Sequence, residues 1–180
     1  KGAALNTVQT TGKEDTPISL SGKIIPQTND ADGSQLFNVK IDNITRGSTI
    51  TYNGTAYTID SADTSGVDVT DNGDDTFSVT ISDFDSTKLW YQAPLDASGS
   101  FKLSVSAQTY DTAVVDGATV TSAVSAWTTP KDMAIVVTGV ADTPSIQQPE
   151  SISLTFTEAQ AEAGEIKISN LVVRTGDTSD

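Results

Sequence analysis

Thr49-Ile50-Thr51-Tyr52-Asn53-Gly54-Thr55-Ala56-Tyr57-Thr58-Ile59 reads as a β-hairpin in its own right. On each side of Asn53-Gly54, β-branched and aromatic residues alternate with small or polar ones, as half-buried strands require. Asn-Gly favours a two-residue turn because both central residues take positive φ. Such a turn joins antiparallel neighbours, so this stretch sets the expectation for the rest of the chain.

The same signature recurs outward from it. Residues 67–70 and 77–81 flank Asp71-Asn72-Gly73-Asp74-Asp75 and predict a second hairpin with a longer tip. Residues 36–44 alternate, with Phe37, Val39 and Ile41 on one face, and residues 101–107 alternate as cleanly. Ile18-Ser19-Leu20 begins another strand, and residues 120–127 and 133–140 complete the set. Seven to nine short strands, with no convincing long amphipathic helix, predict an all-β, immunoglobulin- or cadherin-like antiparallel sandwich with Greek-key connections. Trp90 and Trp127 are the largest candidates for its core.

Composition narrows the chemistry. The chain has 180 residues, 24 acidic and 10 basic, for a formal net charge of -14. A phosphate backbone needs a basic surface, so nucleic acid is excluded as a partner class. No apolar run approaches the length of a membrane span, so membrane insertion is not expected, and no signal peptide is read. Cys and His are both absent. Catalytic thiols, imidazole bases, disulfides and the usual zinc sites are therefore ruled out. Stability must come from the core or from hard cations held by oxygen ligands.

The carboxylates change type along the chain. Up to Asp142 all but Glu14 are Asp; after it Glu150, Glu158, Glu162 and Glu165 dominate. Asp suits turns and short-armed metal loops, whereas Glu suits helices. Val140-Ala141-Asp142-Thr143-Pro144 marks a boundary, because a last strand ends there and a Pro comes next. Beyond it the opening of the chain recurs. Ile18-Ser19-Leu20 returns as Ile152-Ser153-Leu154, and Val39-Lys40-Ile41-Asp42-Asn43-Ile44 as Ile166-Lys167-Ile168-Ser169-Asn170-Leu171. The expected layout is a lead-in over 1–13 and one sandwich over 14–142. Residues 143–180 then form a joint and the first strands of an incomplete second repeat, either truncated or half of a split domain.

Three acidic loops are candidate sites: Glu14-Asp15-Thr16, Asn29-Asp30-Ala31-Asp32-Gly33-Ser34 and Leu95-Asp96-Ala97-Ser98-Gly99. Brought to one end of a sandwich, Glu14, Asp15, Asp30, Asp32 and Asp96 would repel one another. Calcium, with six to eight oxygen ligands, would turn that repulsion into a staple. The same residues would equally serve as solvated turn residues. The run from Asp60 through Asp63, Asp68, Asp71, Asp74 and Asp75 is mostly hairpin tip, where turn chemistry alone favours Asp. No acid–base pair or nucleophile is set in an implied cleft, so no enzymatic activity is expected.

Four motifs in order resemble the cadherin-like and immunoglobulin-like extender repeats of giant bacterial adhesins of the repeats-in-toxin class. Glu14-Asp15-Thr16-Pro17-Ile18-Ser19-Leu20 resembles that family's acidic opening strand. Asp30-Ala31-Asp32-Gly33-Ser34-Gln35 resembles its Asp-x-Asp-Gly-Ser-Glu loop, with Gln35 in place of Glu. Tyr91-Gln92-Ala93-Pro94-Leu95-Asp96-Ala97-Ser98-Gly99 is similar to its Pro-containing turn, and residues 140–144 to its inter-repeat joint. The resemblance implies type I secretion, an extracellular place on the bacterial cell surface, and calcium that folds repeats and stiffens their joints. It implies Glu14, Asp15, Asp30, Asp32, Asp96 and Asp142 as ligands, with Glu150 opening the second repeat. The implied role is a calcium-stabilised extender in cell adhesion, whose partners are neighbouring repeats of the same polypeptide. The competing role is a recognition module for glycan or peptide, using Trp90 or Trp127.

Overall fold

The computed structural model describes residues 2–29, 34–63, 66–141, 145–147, 158–162 and 172–174. The chain divides into a first unit, Lys1–Gly139, and a second, Val140–Asp180.

The strands of the first unit are β1 (Ala3–Thr7), β2 (Thr10–Lys13), β3 (Ile18–Ser19), β4 (Ile24–Thr28), β5 (Gln35–Thr45), β6 (Thr49–Tyr52) and β7 (Thr55–Thr58). They continue with β8 (Asp68–Asp71), β9 (Thr76–Ile81), β10 (Leu89–Gln92), β11 (Gly99–Val115), β12 (Ala118–Thr121) and β13 (Lys131–Thr138). One sheet has the order β3-β10-β6-β7; the other has β2-β13-β11-β5-β9-β8, with β12 continuing from β11; β1 and β4 pair separately. Every pairing in the two large sheets is antiparallel except β2 with β13. The chain crosses between the two large sheets from β2 to β3, from β3 to β5, from β5 to β6, from β7 to β8, and again on either side of β10, which is Greek-key wiring.

Inward-facing residues of both sheets form one core. Ile18, Ile50, Leu89 and Tyr91 meet Val39, Ile41, Val79, Leu103, Val105 and Ile135. The fold is thus the expected all-β, immunoglobulin/cadherin-like sandwich. The opening hairpin forms as read, with Asn53 at φ 49° and Gly54 at φ 82°.

Three expectations need correction. The lead-in over 1–13 is structural: β1 buries Leu5 in the core, and β2 closes the edge of the sheet beside β13. Neither tryptophan is a core residue. In β10 the period of two turns Leu89 and Tyr91 inward and leaves Trp90 half-buried on the outer face. Trp127 is 39% exposed.

The third correction concerns residues 120–127, of which only Val120 and Thr121 are strand, in β12. Residues 122–128 lie along β11 without becoming a strand. The N–H groups of Ser122, Ser125 and Thr128 donate to the carbonyls of Asp111, Thr109 and Ala107. In return the N–H groups of Asp111, Thr109 and Ala107 donate to the hydroxyls of the same three residues. Every third residue therefore answers every second residue of β11. Side-chain oxygens accept the bonds that main-chain carbonyls accept in a ladder.

In the second unit, β14 (Ser145–Gln147) pairs antiparallel with β15 (Val172–Arg174), and α1 (Glu158–Glu162) lies between them in sequence. Among the described residues no helix is long and apolar enough to cross a membrane.

Candidate functional site

The register of β11 locates the acidic loops. Lys13 pairs with Thr138, and Gly99 with Val137. The turn after β2 and the turn before β11 therefore lie together at the end where the unit's chain leaves. Glu14 is buried there, and its N–H donates to Thr138 O at 3.1 Å. One Glu14 carboxylate oxygen and the Ser98 hydroxyl both border the Cα of Gly139. Asp15, at φ 53°, accepts the Asp96 N–H on its Oδ1 at 3.1 Å. Asp96, at φ 56°, sits in a turn closed by Ala97 N–H to Pro94 O at 3.1 Å. Left-handed backbone is tolerated by Asp far better than by bulky residues, which accounts for Asp at both corners.

The fold thus gathers Glu14, Asp15 and Asp96 within one pair of interlocked turns. Among the described residues, no three carboxylates stand close enough to hold a metal ion. Asp142 and Glu150 lie outside the described residues, as do Asp30 and Asp32.

Gln35 pairs with Asp111 at the other end of the β5–β11 pairing, twelve positions from Gly99.

That end has its own polar network. Gln35 donates to the Asp111 carboxylate, and the Tyr110 hydroxyl donates to Asp83. The Tyr52 hydroxyl donates to Asp83 O at 3.1 Å and accepts the Asp85 N–H at 2.9 Å. Burial, reinforced by the negative charge of Asp83, pushes the Tyr110 hydroxyl up to about 12. A recess beside it is lined by Gln35, Thr109, Tyr110, Asp111, Ser122 and Ser125.

The Asp60–Asp75 run meets a cation of the chain's own. The Arg46 Nε donates to Asp75 at 2.5 Å, its Nη1 donates to the Asp60 carbonyl, and its Nη2 lies 4.0 Å from Asp71. The guanidinium also lies over the Phe77 ring at 4.9 Å. The Asp75 hydrogen bond, above all, raises Arg46 from its ordinary value. Asp74 is instead held below the usual carboxylate range by the Thr76 hydroxyl, a turn interaction. Sequence reading missed Arg46, although it is the one basic residue between Lys40 and Lys88.

No family model matches the chain, and no curated protein does. Among solved structures, it is similar to AggA, the major subunit of aggregative adherence fimbriae type I from Escherichia coli. The two share 13% identity, with 76% of this chain and 94% of that one covered, at a TM-score of 0.28. A likeness that distant carries no argument about function.

Proposed function

We propose that the chain is a structural extender of a bacterial surface adhesin, stabilised by calcium and projecting or supporting ligand-binding domains outside the cell. One observation carries the reading. The acidic turns of Glu14, Asp15 and Asp96 interlock at the end of the first unit where its chain runs on past Gly139. Thr7 Oγ1 donates to Asp132 O, Thr10 pairs with Ile135 and Lys13 with Thr138, so β1 and β2 run up the sheet towards Gly139. The Glu14, Asp15 and Asp96 turns sit where the chain leaves for the second unit. A calcium ion held by those turns would stiffen this end of the first unit. Thermal melting in calcium and in chelator tests the metal. A rise in midpoint with calcium is expected, and an identical midpoint in both sinks the calcium part.

A second reading, recognition of glycan or peptide, is favoured by the exposure of Trp127, two residues along the chain from Ser125 of the polar recess. An exposed aromatic beside hydrogen-bonding groups suits sugar stacking. Glycan and peptide arrays probed with the chain and with Trp127→Ala decide it. Binding that disappears in the variant would favour recognition over the extender role.

A further inference from the structure

Two Asn-Gly pairs stand at hairpin tips, Asn53-Gly54 and Asn72-Gly73. This dipeptide carries its own chemistry. The main-chain nitrogen of the glycine can attack the asparagine Cγ, because glycine has no Cβ to obstruct the ring that forms. A new N–Cγ bond replaces the Cγ–Nδ2 bond. The side-chain nitrogen leaves as ammonia, with the proton that the glycine nitrogen gives up. Water then opens the cyclic imide. Attack at Cγ leaves aspartate; attack at the main-chain carbonyl leaves isoaspartate, whose main chain runs through Cβ.

The fold treats the two pairs differently. At Asn72, Nδ2 donates to Thr76 Oγ1 at 3.1 Å and Oδ1 accepts the Ser78 hydroxyl at 2.8 Å. The attacking nitrogen is itself engaged, since Gly73 N–H donates to Asp71 Oδ1 at 2.8 Å. Arg46 ties the same tip through Asp71 and Asp75. Asn53 has one comparable restraint, its main-chain N–H to Lys88 O at 3.0 Å. Among the described residues, neither its side-chain amide nor the Gly54 N–H has a hydrogen-bond partner. Both residues are exposed, and nothing stands within 4 Å of where a Gly54 Cβ would be.

Ring closure needs one conformational step. Asn53, at φ 49°, is left-handed, and a ψ of about +47° in that well turns the Gly54 nitrogen away from Cγ. The turn must therefore open before it reacts. Opening disturbs β7, a four-residue strand at the edge of its sheet, and such elements open locally at low cost. The Asn72 turn must in addition release the hydrogen bonds made by Thr76, Ser78 and Asp71.

We propose that Asn53 is a site of spontaneous deamidation, and that Asn72, with the same dipeptide, is protected by its hydrogen bonds. The two products act differently on the hairpin. Aspartate keeps the turn, because Asp tolerates left-handed backbone, as Asp15 and Asp96 do. Isoaspartate adds a main-chain atom to a two-residue turn and breaks the pairing of Tyr52 with Thr55. The proposal is independent of calcium and of the extender role.

Incubation of the 180-residue chain at mildly alkaline pH, with peptide mapping by mass spectrometry over time, tests it. In denaturant the two asparagines should convert at similar rates, because only the shared dipeptide acts there. In the folded chain Asn53 should convert at least about tenfold faster than Asn72, whose three side-chain hydrogen bonds each slow opening. Asp71→Ala frees the Gly73 N–H and Thr76→Val removes the acceptor of Asn72 Nδ2. Each should speed Asn72 several-fold and leave Asn53 unchanged. Equal rates in the folded chain, or Asn72 converting first, overturns the proposal. Should either variant unfold its hairpin, the comparison within the unaltered chain still decides. Hydrogen exchange of the isoaspartate fraction checks the consequence: β7 amides should exchange faster than in the unconverted chain, and unchanged exchange overturns that part.

Discussion

At the scale of single residues, two hydroxyl pairs make separable predictions. Ser48 and Tyr91 are wholly buried, and their hydroxyls lie 3.2 Å apart. Removing one leaves the other unpaired in the core, at a cost of about 1–3 kcal/mol. Ser48→Ala and Tyr91→Phe should each lower stability in denaturant titrations. The double variant should be less destabilised than the sum, because no orphan hydroxyl remains. Additive losses would show that the pair contributes nothing. Tyr110 makes a pH prediction. Its folded value, about 12, lies above the ordinary value of 10. A raised group contributes stability in full below the unfolded value and loses it as pH rises through the folded one. Stability from this pair should therefore hold up to about pH 10 and fall from there towards about 12. Ultraviolet tyrosinate absorbance of the chain and of Tyr110→Phe measures it, and the variant should lack the latest-titrating step.

At the scale of elements, legibility tracked the strength of the local pattern. β5, β6, β7, β9 and the first half of β11 alternate strongly between turn signals, and each formed close to its expected bounds. β1 and β2 are rich in Ala, Thr and Gly, with Leu5 as their one large apolar side chain, so no period marks them. β4 contains Pro26, which reads against a strand and is tolerated because, among the described residues, β4 pairs with β1 alone. The candidate site was half legible. Glu14, Asp15 and Asp96 lie in turns that interlock, whereas Asp30, Asp32, Asp142 and Glu150 lie outside the described residues. The hydroxyl ladder beside β11 was invisible to pattern reading. Its spacing of three matches neither strand nor helix, although Ser122, Ser125 and Thr128 are plain in the sequence. Ser125→Ala should deprive the Thr109 N–H of its acceptor, now at 3.0 Å. The loss of about 1 kcal/mol should speed exchange of that amide about fivefold. Ser125→Thr should restore protection, and an unchanged rate in Ser125→Ala would mean that the ladder is incidental.

At the scale of the whole molecule, net charge and the exit turns make opposite demands on one substitution. A chain at -14 is destabilised by its own field, so added sodium chloride should raise its melting midpoint by screening alone. Calcium would do some of the same as a diffuse counter-ion, and a simple rise with calcium does not separate screening from binding. Magnesium at equal ionic strength does, because it resists the irregular, largely dehydrated oxygen cage that calcium accepts. Asp15→Asn sharpens the contrast. Asn tolerates the left-handed backbone that Asp15 adopts and keeps an oxygen for the Asp96 N–H, so the variant removes little besides charge. In chelator, one negative charge fewer should leave the variant at least as stable as the parent. In calcium, if Asp15 is a ligand, the parent gains RT ln(1 + [Ca]/Kd) and the variant gains less. The order of stabilities should therefore reverse between the two conditions. A variant that keeps its advantage in both would leave the exit turns held by hydrogen bonds alone.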